Sequence, residues 1–244
     1  MHRFFVSQPF AEEMEIGGKD AYHISKVLRM GAGKQLQIVS SDRVTALMEI
    51  MAVTAEAAFV RLVRLIEKSN EPSLRIVLGQ GLAKGEKMDL IVQKAVELGV
   101  TQIVPLILEN SVVRLEAAKA LKKVERWQKI AEEAAKQSKR DIVPLVSQVT
   151  SLQEFVDGID SDLRLLAYEK ESGRGLKTVL AEAGEIRSVA LIIGPEGGIS
   201  PREHDEAAAA GFLPISLGSR VLRTETAGLA AIAAILYEKG DLGN

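Results

Sequence analysis

The spacing of apolar and polar residues changes in character near residue 70. Before that point, short segments in which apolar and polar residues alternate are separated by turn residues such as Gly17-Gly18. Such alternation is typical of half-buried strands, and one helix is predicted among them at 20–30. The predicted strands are FFV (4–6), LQIVS (36–40), VTALMEIMAV (44–53) and AAFVRLVRLIE (57–67). Residues 1–70 are therefore predicted to form a small β-barrel domain.

Beyond the polar, proline-containing segment KSNEPS (68–73), continuous apolar runs alternate with helical patterns. Apolar strands that alternate with helices indicate a parallel sheet covered on both faces. The sequence thus predicts an α/β domain over residues 73–244. Its predicted strands are 74–82, 102–108, 163–169, 189–194 and 214–217, and its predicted helices are 87–100, 116–138, 177–183, 201–211 and 226–240.

Composition excludes several kinds of chemistry. The chain has no cysteine, and its three histidines, His2, His23 and His204, are scattered, so neither thiolate chemistry nor a metal-ligand spacing is present. The N-terminal segment lacks the apolar core of a signal peptide. No apolar run approaches the roughly 20 residues of a membrane span. We therefore expect a cytoplasmic protein without a metal ion or a membrane partner.

Charge is unevenly distributed around a net value of −2. Residues 73–140 contain 13 Lys and Arg against 8 Asp and Glu, whereas residues 141–244 contain 9 against 16. A polyanion would therefore be expected to bind within the first 140 residues. The alternative is a solvated helix face, because many of the basic residues fall on the predicted helix 116–138: Lys119, Lys122, Lys123, Arg126 and Lys129.

The loop in LIIGPEGGIS (191–200) follows a predicted buried strand, and ligands of open α/β sheets bind beyond the carboxyl ends of the strands. Its glycines allow a ligand to approach the main chain closely. Ser200 and Glu203 have the spacing of a capping box, with Pro201 at the first helical position. The pattern predicts a main-chain wall for a flat heterocycle; the alternative is a strand–helix turn with no ligand.

The segment LGSRVLRTETAG (217–228) places two arginines, Arg220 and Arg223, beside a helix start at which Thr224 is the predicted cap. An arginine at a ligand crevice stabilises anionic or developing negative charge, although both arginines can instead pair with nearby carboxylates. Upstream, GQGLAKG (79–85) nearly matches a dinucleotide-binding fingerprint, but its third glycine is one residue late. The turn KGEK (84–87) is expected instead to present Lys84 and Lys87 to an anion.

These motifs, in this order, resemble the 16S ribosomal RNA uridine-N3 methyltransferase family (ribosomal small-subunit methyltransferase E), a branch of the SPOUT superfamily. The resemblance extends over essentially the whole chain. It is carried by HISKVLRMGAGKQLQIV, KGEKMDLIVQKAVELGV, ENSVVRLE, EEAAKQSKRDIVP, LIIGPEGGIS and LGSRVLRTETA. Two positions depart from the family pattern: Asn110 stands where arginine is common, and Lys139 where glycine is common.

The resemblance implies an N-terminal PUA-like barrel, a C-terminal α/β domain with a trefoil knot, a homodimer, and S-adenosylmethionine bound in a bent form. It implies cofactor contacts from three strand ends: Leu166, Ala167, Gly194, Pro195, Glu196, Gly197, Gly198, Leu217, Gly218, Leu222, Thr226 and Ala227. The implied reaction is methylation of uridine N3 in small-subunit ribosomal RNA, in the assembled subunit. The alternatives are another RNA base or transfer RNA as substrate, or a non-catalytic assembly factor.

For the reaction, Arg223 is the predicted catalytic residue, because it can stabilise the negative charge that develops on the uracil oxygens. Glu196 and Glu225 are two candidates for the proton acceptor. The target base must leave its stack. Seven basic residues are predicted to hold the RNA backbone: Arg3, Lys26, Arg29, Lys84, Lys87, Arg114 and Arg140.

Overall fold

A computed structural model describes residues 1–113 and 116–243. The chain divides into two compact units, the first formed by Met1–Glu71 with Ala135–Ile142 and the second by Pro72–Ala134 with Val143–Asn244. The division into 1–70 and 73–244 predicted from sequence does not anticipate that Ala135–Ile142 belongs to the first unit. An apparently continuous helical pattern crosses this boundary, so the sequence contains no signal for it.

The first unit contains a five-stranded sheet in the order β1-β3-β4-β5-β2. β1 pairs parallel with β3, and the other neighbours are antiparallel. Within the described residues, no pairing joins the edge strands β1 and β2. The strands are β1 (Arg3–Phe5), β2 (Glu13–Gly17), β3 (Gln35–Val39), β4 (Thr45–Val53) and β5 (Ala57–Leu65).

One face of this sheet is buried because apolar and polar residues alternate along its strands. In β2, the exposed Glu13 and Glu15 alternate with the buried Met14 and Ile16. Helix α1 (Gly18–Tyr22) continues into a π-helical segment, His23–Val27, close to the predicted helix 20–30. The core of the unit includes Phe4, Ile24, Leu36, Ile38, Met48 and Ile50.

Two buried arginines attach the segment Ala135–Ile142 to the rest of the first unit. Arg3 donates hydrogen bonds from Nη1 to the carbonyl oxygens of Lys139 and Arg140, at 2.6 and 2.7 Å, and forms an ion pair with Asp141 at 2.7 Å. Arg140 forms an ion pair with Glu71. Since a buried charge is costly unless it is paired and hydrogen-bonded, these partners are what make burial of both guanidinium groups tolerable.

The second unit contains a sheet in the order β12-β10-β11-β6-β7-β8, with β9 also paired to β7, and every pairing is parallel. Parallel sheets are covered on both faces, which explains the continuous apolar runs. The predicted α/β fold with a parallel sheet is confirmed. The strands are β6 (Arg75–Gly81), β7 (Gln102–Ile107), β8 (Leu145–Val146), β9 (Thr150–Ser151), β10 (Leu163–Ala167), β11 (Ser188–Ile193) and β12 (Leu213–Ile215).

Helices connect these strands. Gly99 ends α2 in the left-handed conformation that favours glycine, with φ 114°. No helix in residues 1–113 and 116–243 is long and apolar enough to cross a membrane. The helices are α2 (Lys87–Leu98), α3 (Ala117–Gln137), α4 (Leu152–Gly158), α5 (Leu176–Glu182), α6 (Pro201–Ala209) and α7 (Thr224–Lys239).

The small residues of α7 allow this helix to lie close to the sheet. A Cβ atom added to Gly228 would lie 3.4 Å from Ile193 and 3.5 Å from the side-chain oxygen of Gln80. Ala231, Ile232, Ile235 and Leu236 are buried as well. One face of α7 therefore packs against the sheet, and this packing places the start of the helix at the carboxyl edge of the sheet.

Candidate functional site

A cavity lies where β10, β11 and β12 end. Its walls are the residues that follow these three strands together with the first turn of α7. We call it the main-chain cavity, because much of its lining is backbone and small side chains. It includes eight of the residues predicted to bind a cofactor: Ala167, Gly194, Pro195, Gly198, Leu217, Gly218, Leu222 and Ala227.

The other four residues predicted to bind a cofactor do not line this cavity. Leu166 is fully buried in the apolar core of the unit. Thr226 is exposed and donates its backbone N–H to the carbonyl oxygen of Arg223 at 2.8 Å. Glu196 lines a neighbouring cavity. Gly197 lies against Asn110, where an added Cβ would approach the Asn110 carbonyl oxygen to 2.7 Å.

Close backbone contacts fix the loop after β11. A Cβ atom on Gly81, at the end of β6, would lie 2.6 Å from the backbone nitrogen of Pro195. Gly197 has the tight contact with Asn110 described above, and Gly198 has φ 72°, which glycine adopts without the penalty of a side chain. The second glycine of the near-match at 79–85 is therefore required by packing against this loop.

The start of α6 holds the far end of the same loop. The Ser200 hydroxyl accepts a hydrogen bond from the backbone N–H of Glu203, and a Glu203 carboxylate oxygen accepts one from the backbone N–H of Ser200. Pro201 occupies the first turn. The predicted capping box is confirmed, and Glu203 also accepts a hydrogen bond from the backbone N–H of Glu109.

Gln80 is a buried polar residue beneath the main-chain cavity that the sequence analysis missed. Its Nε2 donates to the Thr224 hydroxyl at 2.9 Å, and that hydroxyl donates to the Gly194 carbonyl oxygen at 2.7 Å. The predicted capping role of Thr224 is wrong, because Thr224 is the first residue of α7 and Arg223 occupies the cap position. The hydroxyl links the end of β6, the loop after β11 and the start of α7.

A second cavity, of about 350 Å³, shares a wall with the first. We call it the charged cavity, because Lys87, Glu169, Glu196 and Arg223 contribute to its lining. Residues common to both cavities are Glu169, Pro195, Gly198, Val221, Leu222 and Thr224. The sequence placed glycines at this edge of the sheet, but it gave no sign that ionised side chains gather beside them.

Lys87 and Glu196 form the central ion pair of the charged cavity. Glu196 Oε1 accepts hydrogen bonds from Lys87 Nζ at 2.9 Å and from the backbone N–H of Lys84 at 3.0 Å. Lys87 Nζ also lies 3.4 Å from the carboxylate of Glu225, in the first turn of α7. The anion that the KGEK turn meets in this structure is therefore a side chain of the same chain.

The two arginines of the loop before α7 differ in position. Arg220 lines the main-chain cavity, whereas Arg223 lines the charged cavity, and both are exposed. Within the described residues, neither guanidinium group is recorded in an ion pair or hydrogen bond. Both remain available to an anionic ligand, so the structure offers no support for the alternative that they pair with nearby carboxylates.

The residues predicted to hold RNA are placed differently. Lys26, Arg29 and Lys84 are exposed, and Lys87 is half-buried in its ion pair. Arg3 and Arg140 are 4% and 2% exposed and are engaged inside the first unit, so the expectation that they hold the RNA backbone is corrected. Arg114 lies outside the described residues. In residues 1–113 and 116–243 no group of acidic residues and histidines has the arrangement of a metal site.

The main-chain cavity has the chemistry to hold a zwitterionic nucleoside. Ile193, Ile199 and Ile215 provide apolar surface for a flat ring. Glu169 complements cationic groups and Arg220 complements a carboxylate. The fixed glycine loop provides backbone that a ligand can approach. These residues fit S-adenosylmethionine, whose adenine is flat and whose amino-acid part carries both charges.

Comparison with known proteins first identifies the class. Residues 70–236 match the model of the RNA methyltransferase domain family. The chain is 35% identical to ribosomal RNA small subunit methyltransferase E of Bacillus subtilis over 98% of this chain and 97% of that protein. It is 30% identical to the protein of the same name from Buchnera aphidicola, covering 93% and 88%.

A solved structure agrees with these relatives. The crystal structure of a ribosomal RNA small subunit methyltransferase E from Neisseria gonorrhoeae bound to S-adenosyl methionine has a TM-score of 0.89 to this chain at 31% identity, covering 99% of both chains. The chain belongs to the ribosomal RNA small subunit methyltransferase E family. The resemblance found in the sequence motifs is confirmed.

Proposed function

We propose that this protein transfers the methyl group of S-adenosylmethionine to N3 of a uridine in small-subunit ribosomal RNA. The observation that carries the proposal is the main-chain cavity at three adjacent strand ends, in a chain whose relative from Neisseria gonorrhoeae is described as bound to S-adenosyl methionine. When bound, the cofactor supplies an activated methyl group on a sulfonium sulfur. The protein's own task is to orient that group and to manage charge.

Arg223 is proposed as the catalytic residue. Loss of the N3 proton, for which Glu196 and Glu225 are the candidate acceptors, spreads negative charge onto the two uracil carbonyl oxygens, and a guanidinium near them stabilises that charge. Arg223 is suited to this role because it lines the charged cavity next to the main-chain cavity and its guanidinium is available. Because the two cavities share lining residues, an extruded base in the charged cavity would lie next to a methyl donor in the main-chain cavity.

The cofactor-binding set is proposed as the eight cavity-lining residues given above, with Leu166 and Gly197 supporting the walls from behind and Thr226 outside the set. Gly197 supports the loop through its contact with Asn110. For the RNA, Lys26, Arg29 and Lys84 are the proposed backbone contacts, and binding should weaken steeply with salt because counterions are released.

Several finer features are proposed on the strength of family membership. These are a PUA-like barrel in the first unit with bounds 1–70, a trefoil-knotted SPOUT domain over 73–244, action on the assembled small subunit in the cytoplasm, and a homodimer. An apolar groove of about 510 Å³ between α5 and α7, lined by Leu176, Leu180, Ala230, Ala234 and Tyr237 among others, offers a surface for a second copy. Sedimentation at micromolar concentration tests the dimer, and a monomer there would contradict it.

Two measurements test the function. Calorimetry should detect binding of S-adenosylmethionine at tens of micromolar, and no binding would favour a non-catalytic assembly factor. Mass spectrometry of ribosomal RNA from a deletion strain should show loss of N3-methyluridine from the small subunit. Loss of a different methylated base, in ribosomal or transfer RNA, would instead assign another substrate.

A further inference from the structure

The charged cavity contains a carboxylate that is held in place through one of its oxygens. Glu196 Oε1 accepts two hydrogen bonds, from Lys87 Nζ and from the backbone N–H of Lys84. The second oxygen, Oε2, takes part in neither of these two contacts. The Glu196 side chain is 27% exposed, so this oxygen belongs to a partly shielded group that faces a cavity.

Resting on the proposed function, we propose that Glu196 is the residue that selects uracil, by accepting a hydrogen bond from its N3–H. We further propose Lys87 as the positioning residue that orients the Glu196 carboxylate. The sequence motifs predict Glu196 as a cofactor contact and as a candidate proton acceptor, and Lys87 as an RNA backbone contact. The structure instead joins these two side chains in the cavity adjacent to the proposed cofactor site.

The chemistry of the base explains why an acid belongs here. The Watson–Crick edge of uracil presents an acceptor, the N3–H donor and a second acceptor, and a flipped base is read by hydrogen bonds to that edge. A carboxylate is acceptor-only when ionised. Lys87 and Arg223 line the same cavity and are donors, so the cavity contains donors for the two uracil carbonyl oxygens as well as an acceptor for N3–H.

Cytosine presents the opposite pattern at the same position. Its N3 carries a lone pair instead of a hydrogen, so Glu196 would face it with two acceptors in opposition. A buried or partly buried polar group without a partner costs free energy. The arrangement therefore discriminates against cytosine by repulsion as well as favouring uracil by attraction, which is how specific sites commonly achieve their selectivity.

The ion pair keeps the Glu196 carboxylate ionised, which is the form that accepts a hydrogen bond from uracil N3–H. Burial acts to raise the pKa of Glu196, but the hydrogen bonds from Lys87 and from backbone N–H groups outweigh it, and the pKa is lowered. The hydrogen bond to Glu196 raises the pKa of Lys87. Both groups therefore remain charged near neutral pH, and Glu196 remains an acceptor.

The first experiment exchanges the acceptor for a group of the same shape. In Glu196→Gln, the carboxamide can donate to cytosine N3, so the preference for uracil should narrow. The full-length protein is assayed on small ribosomal subunits. Mass spectrometry of the RNA methylated by the wild-type protein first identifies which uridine is modified. Subunits carrying cytidine at that position serve as competitors. We expect the ratio of the cytidine competitor's inhibition constant to the KM of the normal subunit to fall by about tenfold in the variant.

Matched controls separate selection from folding and from cofactor binding. Glu86→Gln changes an exposed glutamate at the start of α2 whose side chain makes no capping hydrogen bond, and it should leave the ratio unchanged. Calorimetry should give an affinity of Glu196→Gln for S-adenosylmethionine within about twofold of the wild type. Lys87→Met should lower the same ratio with little change in affinity for S-adenosylmethionine, and Lys87→Arg should restore most of the wild-type ratio, because arginine also donates to the carboxylate.

The outcomes are distinct. If wild-type protein forms no N3-methyluridine, the proposed function itself fails. If wild-type protein forms it and Glu196→Gln keeps the wild-type preference for uridine, the selection proposal is overturned. A tenfold loss of cofactor affinity in Glu196→Gln would also overturn it and return Glu196 to the cofactor site. If Glu196→Gln does not fold, the comparison of Lys87→Met with Lys87→Arg tests the proposal instead. The same loss in both Lys87 variants would contradict the positioning role of Lys87.

Discussion

The two adjoining cavities of the second unit are built from different materials. The main-chain cavity is lined mostly by glycines, small side chains and apolar residues, with Glu169 and Arg220 as its charged residues. The charged cavity has a shorter lining that contains Lys87, Glu169, Glu196 and Arg223. Glycines beside the first cavity fix its loop, since Cβ atoms added to Gly81 and Gly197 would lie 2.6 and 2.7 Å from backbone atoms of Pro195 and Asn110. The second is specified by which charges are present. We therefore expect the first cavity to respond to volume and the second to charge.

The largest expected effect is on charge in the second cavity. Arg223→Ala should lower turnover by about 10²–10³-fold, the range found when a donor to developing negative charge is removed, with RNA affinity nearly unchanged. Single-turnover methylation and RNA binding are measured on the same preparation. Arg187→Ala, in an exposed residue before β11 at the opposite edge of the sheet, is the matched control. A loss confined to RNA affinity would reassign Arg223 to RNA positioning.

A change of volume in the first cavity should be somewhat smaller in effect. Ala227→Leu adds bulk to a cavity-lining residue that is 9% exposed. Overpacking costs about 1–3 kcal/mol, which corresponds to about a five- to hundredfold loss of cofactor affinity by calorimetry. Ala208→Leu adds the same bulk on the exposed side of α6 and should bind normally. Unchanged affinity in Ala227→Leu would mean that the cofactor lies elsewhere.

The hydrogen bonds beneath the shared wall should have a smaller effect. Gln80→Leu removes the donor to Thr224 while keeping an apolar group of similar size. We expect cofactor affinity to fall by about 1 kcal/mol, the net value of one hydrogen bond, because the loop after β11 and α7 lose a link. Gln102→Leu, which removes the Gln102–Ser147 hydrogen bond in β7, controls for a general loss of stability. If Gln80→Leu and Gln102→Leu lower cofactor affinity equally, Gln80 has no specific role in the cofactor site.

The smallest effect is expected for a residue outside both cavities. Changing it tests whether a change in the free energy of unfolding alone alters cofactor binding. Lys139 has φ 59°, in the left-handed region that costs a side chain roughly 1–2 kcal/mol. Lys139→Gly should therefore raise the free energy of unfolding by up to about 1 kcal/mol, with cofactor affinity unchanged. Lys119→Gly, inside α3, should lower it by about 1 kcal/mol. Urea denaturation measures both, and destabilisation by Lys139→Gly would contradict the strain.

The pattern of apolar and polar residues predicted most strands and helices of the second unit, and it missed the short ones. The major strands were predicted because buried parallel strands are continuous apolar runs. β8 and β9 contain two residues each and were missed. β2 was missed although its apolar and polar residues alternate, because the segment has only five residues. α4 was missed although Ser151 and Glu154 have the spacing of a capping box. Helix α1 was predicted slightly too late along the chain.

At the site, the glycine-rich loop and both arginines were found from sequence, since conformational demands leave a local trace. What escaped prediction depends on pairs that are distant in the chain. Lys87 and Glu196 are 109 positions apart, and Gln80 and Thr224 are 144 apart. Likewise, the burial of Arg3 depends on Asp141, 138 positions away. A basic residue gives no indication in the sequence of whether its charge meets solvent, RNA or a distant carboxylate.

The link from Gln80 through the Thr224 hydroxyl to Gly194 also bears on when during biosynthesis this protein becomes competent. Its three members come from β6, the loop after β11 and the first turn of α7, so a growing chain that ends before Thr224 cannot form the complete link. Contacts between such distant positions form late in folding. A chain translated only as far as α6 therefore lacks the finished pocket of a protein that is proposed to modify ribosomes.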